Sequence, residues 1–106
     1  MEALIVITTV PDSDIAVKMA ESIFNNRLAA CIHQFPAGIS KYIWQGKLET
    51  ATEIMLFIKT SSDRYAALEQ MIRKNHPFEV PEIIAIPVIN GLPSYLSWIF
   101  EQTGSS

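Results

Sequence analysis

Apolar residues fall along this chain in two rhythms. From Ala3 to Val10 they run almost unbroken, rich in β-branched side chains and stopped by Pro11. Such a run predicts a strand buried on both faces at the centre of a sheet. DSDIAVKMAESIFNN then changes to helical spacing, with Ala16, Met19, Ala20 and Ile23 on one face. Asp12 or Ser13 suits its N-cap, and Asn25-Asn26 can close it in the left-handed conformation. From Leu28 to Thr60 the helical period vanishes: LAACIHQF, ISKYIWQ and EIMLFIKT read as extended segments, broken at Pro36 to Gly38 and at Gly46. Two long strands joined near Gly46 are predicted. Helical spacing returns in DRYAALEQMIRKN, capped by Ser61 or Ser62, with Tyr65, Leu68 and Ile72 in one stripe and Asp63, Arg64, Arg73 and Lys74 facing water. EIIAIPVI predicts another buried strand, and LPSYLSWIF a short final helix with Pro93 in its first turn.

The predicted order is βαββαβ plus a C-terminal helix. Right-handed crossovers turn that order into a four-stranded antiparallel sheet with both main helices on one face. The fold class is therefore α+β, a ferredoxin-like sandwich with a long central hairpin, in one domain spanning residues 1–106. The hairpin arms far exceed the ~5–6 residues of a typical strand, so Tyr42, Ile43 and Trp44 should project beyond the core. A two-stranded ribbon with aromatic residues is marginal in water and leaves bare edges, and another copy of the chain is the simplest cover. An obligate homo-oligomer follows. The last helix agrees, because Leu92, Tyr95, Leu96, Trp98, Ile99 and Phe100 surround it with apolar surface.

Composition narrows the classes. With 106 residues, 49% of them hydrophobic, the chain can pack one core. Net charge is −3 and the eight Lys and Arg are scattered, so no phosphate-binding stripe forms and nucleic acid is not an expected partner. A lone cysteine, Cys31, excludes an internal disulfide and any multi-thiolate site within one chain, which fits a reducing compartment. MEALIVITT lacks a basic leader, and no window approaches the ~18 apolar residues of a membrane span. A cytoplasmic, soluble protein without membrane contact is expected.

Candidate chemistry gathers in KNHPFEVPE, Lys74 to Glu82. His76 beside Glu79 and Glu82 suggests ligation or proton transfer, whereas its place before Pro77 suggests a helix stop. Glu79 and Glu82 lie three apart in an extended segment and point to opposite faces, which disfavours a shared proton or ion. Cys31 and His33, two apart on a strand, project to one face and pair a soft sulfur with an imidazole, but two ligands do not make a tight site; the simpler reading makes Cys31 a small core hydrophobe and His33 a surface or rim residue. Lys59 ends an apolar strand and needs water or a carboxylate, for which Glu53 or Glu82 of its own or another subunit is expected, or else it faces an anion in an inter-subunit cleft. Trp44 and Trp98 read as interface packing.

LAACI, YIWQGKLE, FIKT, HPFEVPEIIAIPV and YLSWI occur in the order and spacing of the CutA family of divalent-cation tolerance proteins, which the chain resembles from Ile7 to Ile99. The resemblance implies a homotrimer of ferredoxin-like subunits whose sheets continue across subunit boundaries, a link to tolerance of copper and other divalent cations, and no enzymatic reaction. Copper-binding members resemble one another in drawing ligands from a cysteine late in the first strand and a histidine pair at the HP motif. Those positions here hold Thr8, Asn75 and His76, so only His76 is kept, and Phe78 replaces a usual tyrosine. The expected function is a non-enzymatic homotrimer of metal-ion response that binds a divalent cation such as copper weakly through His76 and Glu79, with Cys31 a further donor, or at subunit boundaries where three copies pool their donors. The alternative is a small-molecule sensor or interaction module similar to the PII-type signalling trimers, with ligand clefts between subunits. An acylphosphatase-like hydrolase would need a phosphate cradle, and TTVPDSD has neither glycine nor arginine to make one.

Overall fold

The computed structural model describes residues 1–104. Its strands are β1 (Ala3–Val10), β2 (Cys31–Gln34), β3 (Gly38–Trp44), β4 (Lys47–Ser61) and β5 (Ile83–Pro87). Helix α1 (Ser13–Asn25) follows β1, α2 (Tyr65–Asn75) follows a 3₁₀ turn at Ser62–Arg64, and α3 (Pro93–Gln102) ends the described chain. The sheet order is β2-β4-β1-β5, all antiparallel, with β3 paired to the far half of β4. This is the ferredoxin-like α+β arrangement expected, with Pro36 dividing the first long arm into β2 and β3.

Register explains the core. Leu4, Val6, Thr8 and Val10 of β1 stand opposite Thr60, Ile58, Leu56 and Ile54 of β4, and strand alternation puts all eight on one face. That face meets Ala16, Met19 and Ile23 of α1 and Leu68 and Ile72 of α2 in one cluster. On the other face lie Ile5, Ile7, Met55, Phe57, Lys59, Ile84 and Ile86, by the same alternation. Only part of it is covered, and Ile84 and Ile86 are exposed.

Helix α1 starts as predicted, with Asp12 Oδ1 accepting the Ile15 N–H at 2.9 Å. Its end differs from the expectation. Arg27, not Asn25 or Asn26, takes the left-handed conformation (φ 54). The Arg27 N–H bonds the Phe24 carbonyl and the Leu28 N–H bonds the Ile23 carbonyl, the Schellman pattern. That closure turns Leu28 into the core beside Ile23, a tertiary demand that outweighs the local preference for Asn. Neither expected serine caps α2 with its side chain; Ser61 Oγ instead donates to Asp63 Oδ1 at 2.6 Å.

The hairpin turns on Gln45 and Gly46, both at positive φ (50° and 79°), the two-residue type I′ geometry that matches strand twist. The ribbon carries the molecule to 44 × 27 × 24 Å and a radius of gyration of 14.3 Å, above the ~13 Å of a compact chain this long. One ribbon face bears Ile39, Ile43 and Leu48, the other Tyr42 and Trp44, by the alternation of the β3–β4 register. All five are exposed, Ile39 at 73%.

Candidate functional site

The segment after α2 is built around His76. Its backbone is extended (φ −97°, ψ 136°), as a residue before proline prefers, and it ends the helix. The buried ring lies 2.6 Å through Nε2 from the Thr9 carbonyl oxygen near the end of β1. Nδ1 accepts the Phe78 N–H at 3.1 Å. A carbonyl only accepts and an amide N–H only donates, so the proton sits on Nε2 and both nitrogens are engaged. Beside it, Thr9 Oγ1 donates to Glu53 Oε2 at 3.2 Å, which holds that carboxylate at β1. Asn75 Nδ2 donates to the Met71 carbonyl at 2.8 Å. Glu79 is exposed and lines a groove of about 340 Å³ together with Arg73, Lys74 and Phe78.

Thr8 points the other way, into the helix-covered core. Its side chain is fully buried, and Oγ1 is the one buried side-chain polar atom without a hydrogen-bond partner among the described residues. An unsatisfied hydroxyl keeps its desolvation penalty of roughly 1–3 kcal/mol. Thr8→Val, which keeps shape and removes the hydroxyl, should raise the melting temperature; at about 1 kcal/mol the gain is roughly 4–8 °C. Calorimetry on the two proteins reads this directly, and an unchanged or lower value would mean that the hydroxyl is satisfied in solution.

Cys31 and His33 occupy β2 opposite Lys59 and Phe57. Cys31 is a free, half-buried thiol, and His33 is exposed, its ring edge-on to Phe35 at 4.8 Å. Phe35 in turn meets Phe57 at 4.8 Å. Lys59 differs from the expectation. Its ammonium donates to the Tyr95 hydroxyl at 3.1 Å and lies 5.4 Å from the centre of that ring, rather than pairing with Glu53 or Glu82. The Tyr95 hydrogen bond raises the Lys59 pKa, against the lowering effect of burial, and the Tyr95 and Cys31 charges add to the rise. Tyr95 is in place because α3 is fastened at its end: Arg27 Nη2 donates to the Glu101 carbonyl at 3.1 Å and Arg64 Nε to the Thr103 carbonyl at 2.7 Å. Cations there also suit the negative end of the helix dipole.

His76, Cys31 and Glu79, the three donors marked in the sequence, are thus spread over the end of α2, strand β2 and an exposed loop. Among the described residues no three His, Cys, Asp or Glu gather into a metal-sized cluster. The structure gathers apolar surface instead, with Tyr42, Trp44, Ile84, Ile86, Tyr95 and Trp98 all exposed. Strand spacing revealed the first two; the role of Tyr95 could be found only once α3 was placed against Lys59.

A family model described as CutA1 divalent ion tolerance protein matches residues 4–102. Protein CutA of Mus musculus is 41% identical over 97 residues, which cover 92% of this chain and 55% of the mouse protein. The divalent-cation tolerance protein CutA of Thermus thermophilus is 37% identical over 100 residues, covering 94% of this chain and 97% of that protein. Among solved structures, CutA from Xylella fastidiosa superposes with a TM-score of 0.93 at 39% identity, covering 97% of this chain and 99% of that one.

Proposed function

Because the chain belongs to the CutA1 divalent ion tolerance family, we propose that it is a non-enzymatic protein of divalent-cation tolerance and metal-ion response, copper included, working as a homotrimer in the reducing cytoplasm. One observation carries the assembly. A ribbon with Ile39, Ile43 and Leu48 bare on one side and Tyr42 and Trp44 on the other extends past the helices, continuous with a half-covered sheet face. So much contiguous apolar surface calls for a partner, and an identical chain supplies a surface of the same kind. Three copies is the number that the resemblance implies. The names of the relatives speak of cation tolerance and of no reaction.

Ion binding, in this reading, is weak and uses donors pooled where copies meet. Cys31 and His33 are the pair best suited to a soft or borderline ion, since they project to one face of β2. Light scattering at micromolar concentration tests the assembly: the expected mass is three times 11.9 kDa, and a folded monomer overturns it. Calorimetric titration with copper and zinc tests the ion site. The parent should bind weakly, and Cys31→Ser with His33→Ala should abolish the heat; unchanged binding would remove that pair from the role.

A further inference from the structure

His76 is marked by the sequence as a metal donor, and the fold gives both of its nitrogens another use. A metal needs a lone pair on an imidazole nitrogen. Nδ1 has one, but it receives the Phe78 N–H at 3.1 Å; Nε2 carries the proton and lies 2.6 Å from the Thr9 carbonyl oxygen. Coordination through either atom would strand a backbone group, at a residue only 9% exposed.

The neighbours do not converge on the ring either. Thr8 and Thr9 are successive on β1, so their side chains take opposite faces, and the Thr8 hydroxyl stays inside the helix-covered core. Asn75 turns its amide nitrogen back to the Met71 carbonyl, with Met71 Sδ 3.3 Å away. Glu79 shares its groove with Arg73 and Lys74, whose charge opposes a cation. The donor set at these positions does not fit a soft divalent ion.

We propose that His76 is a metal-free latch that ties residues 76–78 to the end of β1 and stays closed when the protein meets copper or zinc. The latch sets the direction in which Phe78 and Val80 leave α2, both exposed. It stands whether or not Cys31 and His33 bind an ion.

The test is proton–nitrogen correlation of the two imidazoles, His33 and His76, in nitrogen-labelled full-length protein titrated with zinc. His76 should show the Nε2-protonated tautomer, and its ring signals should stay fixed through excess zinc. Movement or loss of the His76 signals at stoichiometric zinc would overturn the latch. His33 serves as the internal comparison: if it too stays fixed, the ion site proposed above fails while the latch survives. In metal-free buffer, His76→Ala should lower the melting temperature by roughly 5–15 °C, the cost of orphaned buried groups, and leave zinc affinity unchanged. A variant that melts like the parent, or that loses zinc affinity, overturns the proposal, and should it fail to fold, the spectra of the parent still decide.

Discussion

A chain carrying Ile43→Asp together with Leu48→Lys should run as a folded monomer of 11.9 kDa under conditions where the trimer proposed for the parent forms. The two residues face each other across the ribbon, and each is about 70% exposed in the single chain (69% and 70%). They share the sheet face that α1 and α2 cover lower down, at a level the helices do not reach. Burying an Ile or Leu side chain is worth about 1.5–3 kcal/mol, so the double change forfeits roughly 3–6 kcal/mol per copy and adds the cost of desolvating two charges. At 1.4 kcal/mol per factor of ten, this is enough to dissociate a trimer at micromolar concentration. Asp opposite Lys keeps a favourable cross-strand pair, and the Gln45-Gly46 turn is untouched, so the ribbon should persist. Light scattering with circular dichroism distinguishes the outcomes. A variant that stays trimeric would move the interface to the half-covered face around Ile84, Ile86 and Trp98.

What the sequence made legible was whatever depends on near neighbours. The unbroken run Ala3–Val10 gives a strand buried on both faces, Asp12 gives a cap, and Pro36 and Gly46 give breaks, all of which the structure contains. Ala16, Met19 and Ile23 pack as their spacing requires. The helix stop at Arg27 was not legible, since Asn is the better left-handed residue and only the burial of Leu28 forces the turn one position later. Within the chain, Lys59 departs from the expected carboxylate pairing for a related reason. Its partner Tyr95 lies 36 residues away on α3, which meets the same sheet face as Lys59, and no local pattern announces that contact. At His76 the sequence showed the helix stop and the ionisable ring but not the Thr9 carbonyl, 67 residues away, that engages it. Local rules thus recover the elements, while the chemistry of each candidate donor is decided by distant elements that meet it.

The alternation along β4 separates folding from assembly and yields the other large expected effect. Ile58 is fully buried between Val6 of β1 and Ile32 of β2, facing the helices. Phe57, one residue earlier, looks to the half-covered face between Ile7 and His33, with Phe35 against its ring. Ile58→Ala leaves a cavity in a core that cannot collapse around the central strands, and should cost about 2–5 kcal/mol of monomer stability. Measured in the monomeric Ile43→Asp, Leu48→Lys background, that is a fall of roughly 8–40 °C in melting temperature. Phe57→Ala in the same background should cost much less, because part of the ring is wet in the single chain. In the parent the order reverses for assembly: Phe57→Ala should raise the concentration at which the proposed trimer dissociates, whereas Ile58→Ala should leave that midpoint near its parent value at temperatures where the subunit is folded. Dilution series read by light scattering give the second quantity and thermal scans the first. If Phe57→Ala weakens only the monomer and leaves dissociation unmoved, the open sheet face plays no part in bringing copies together, and the ribbon alone must hold them.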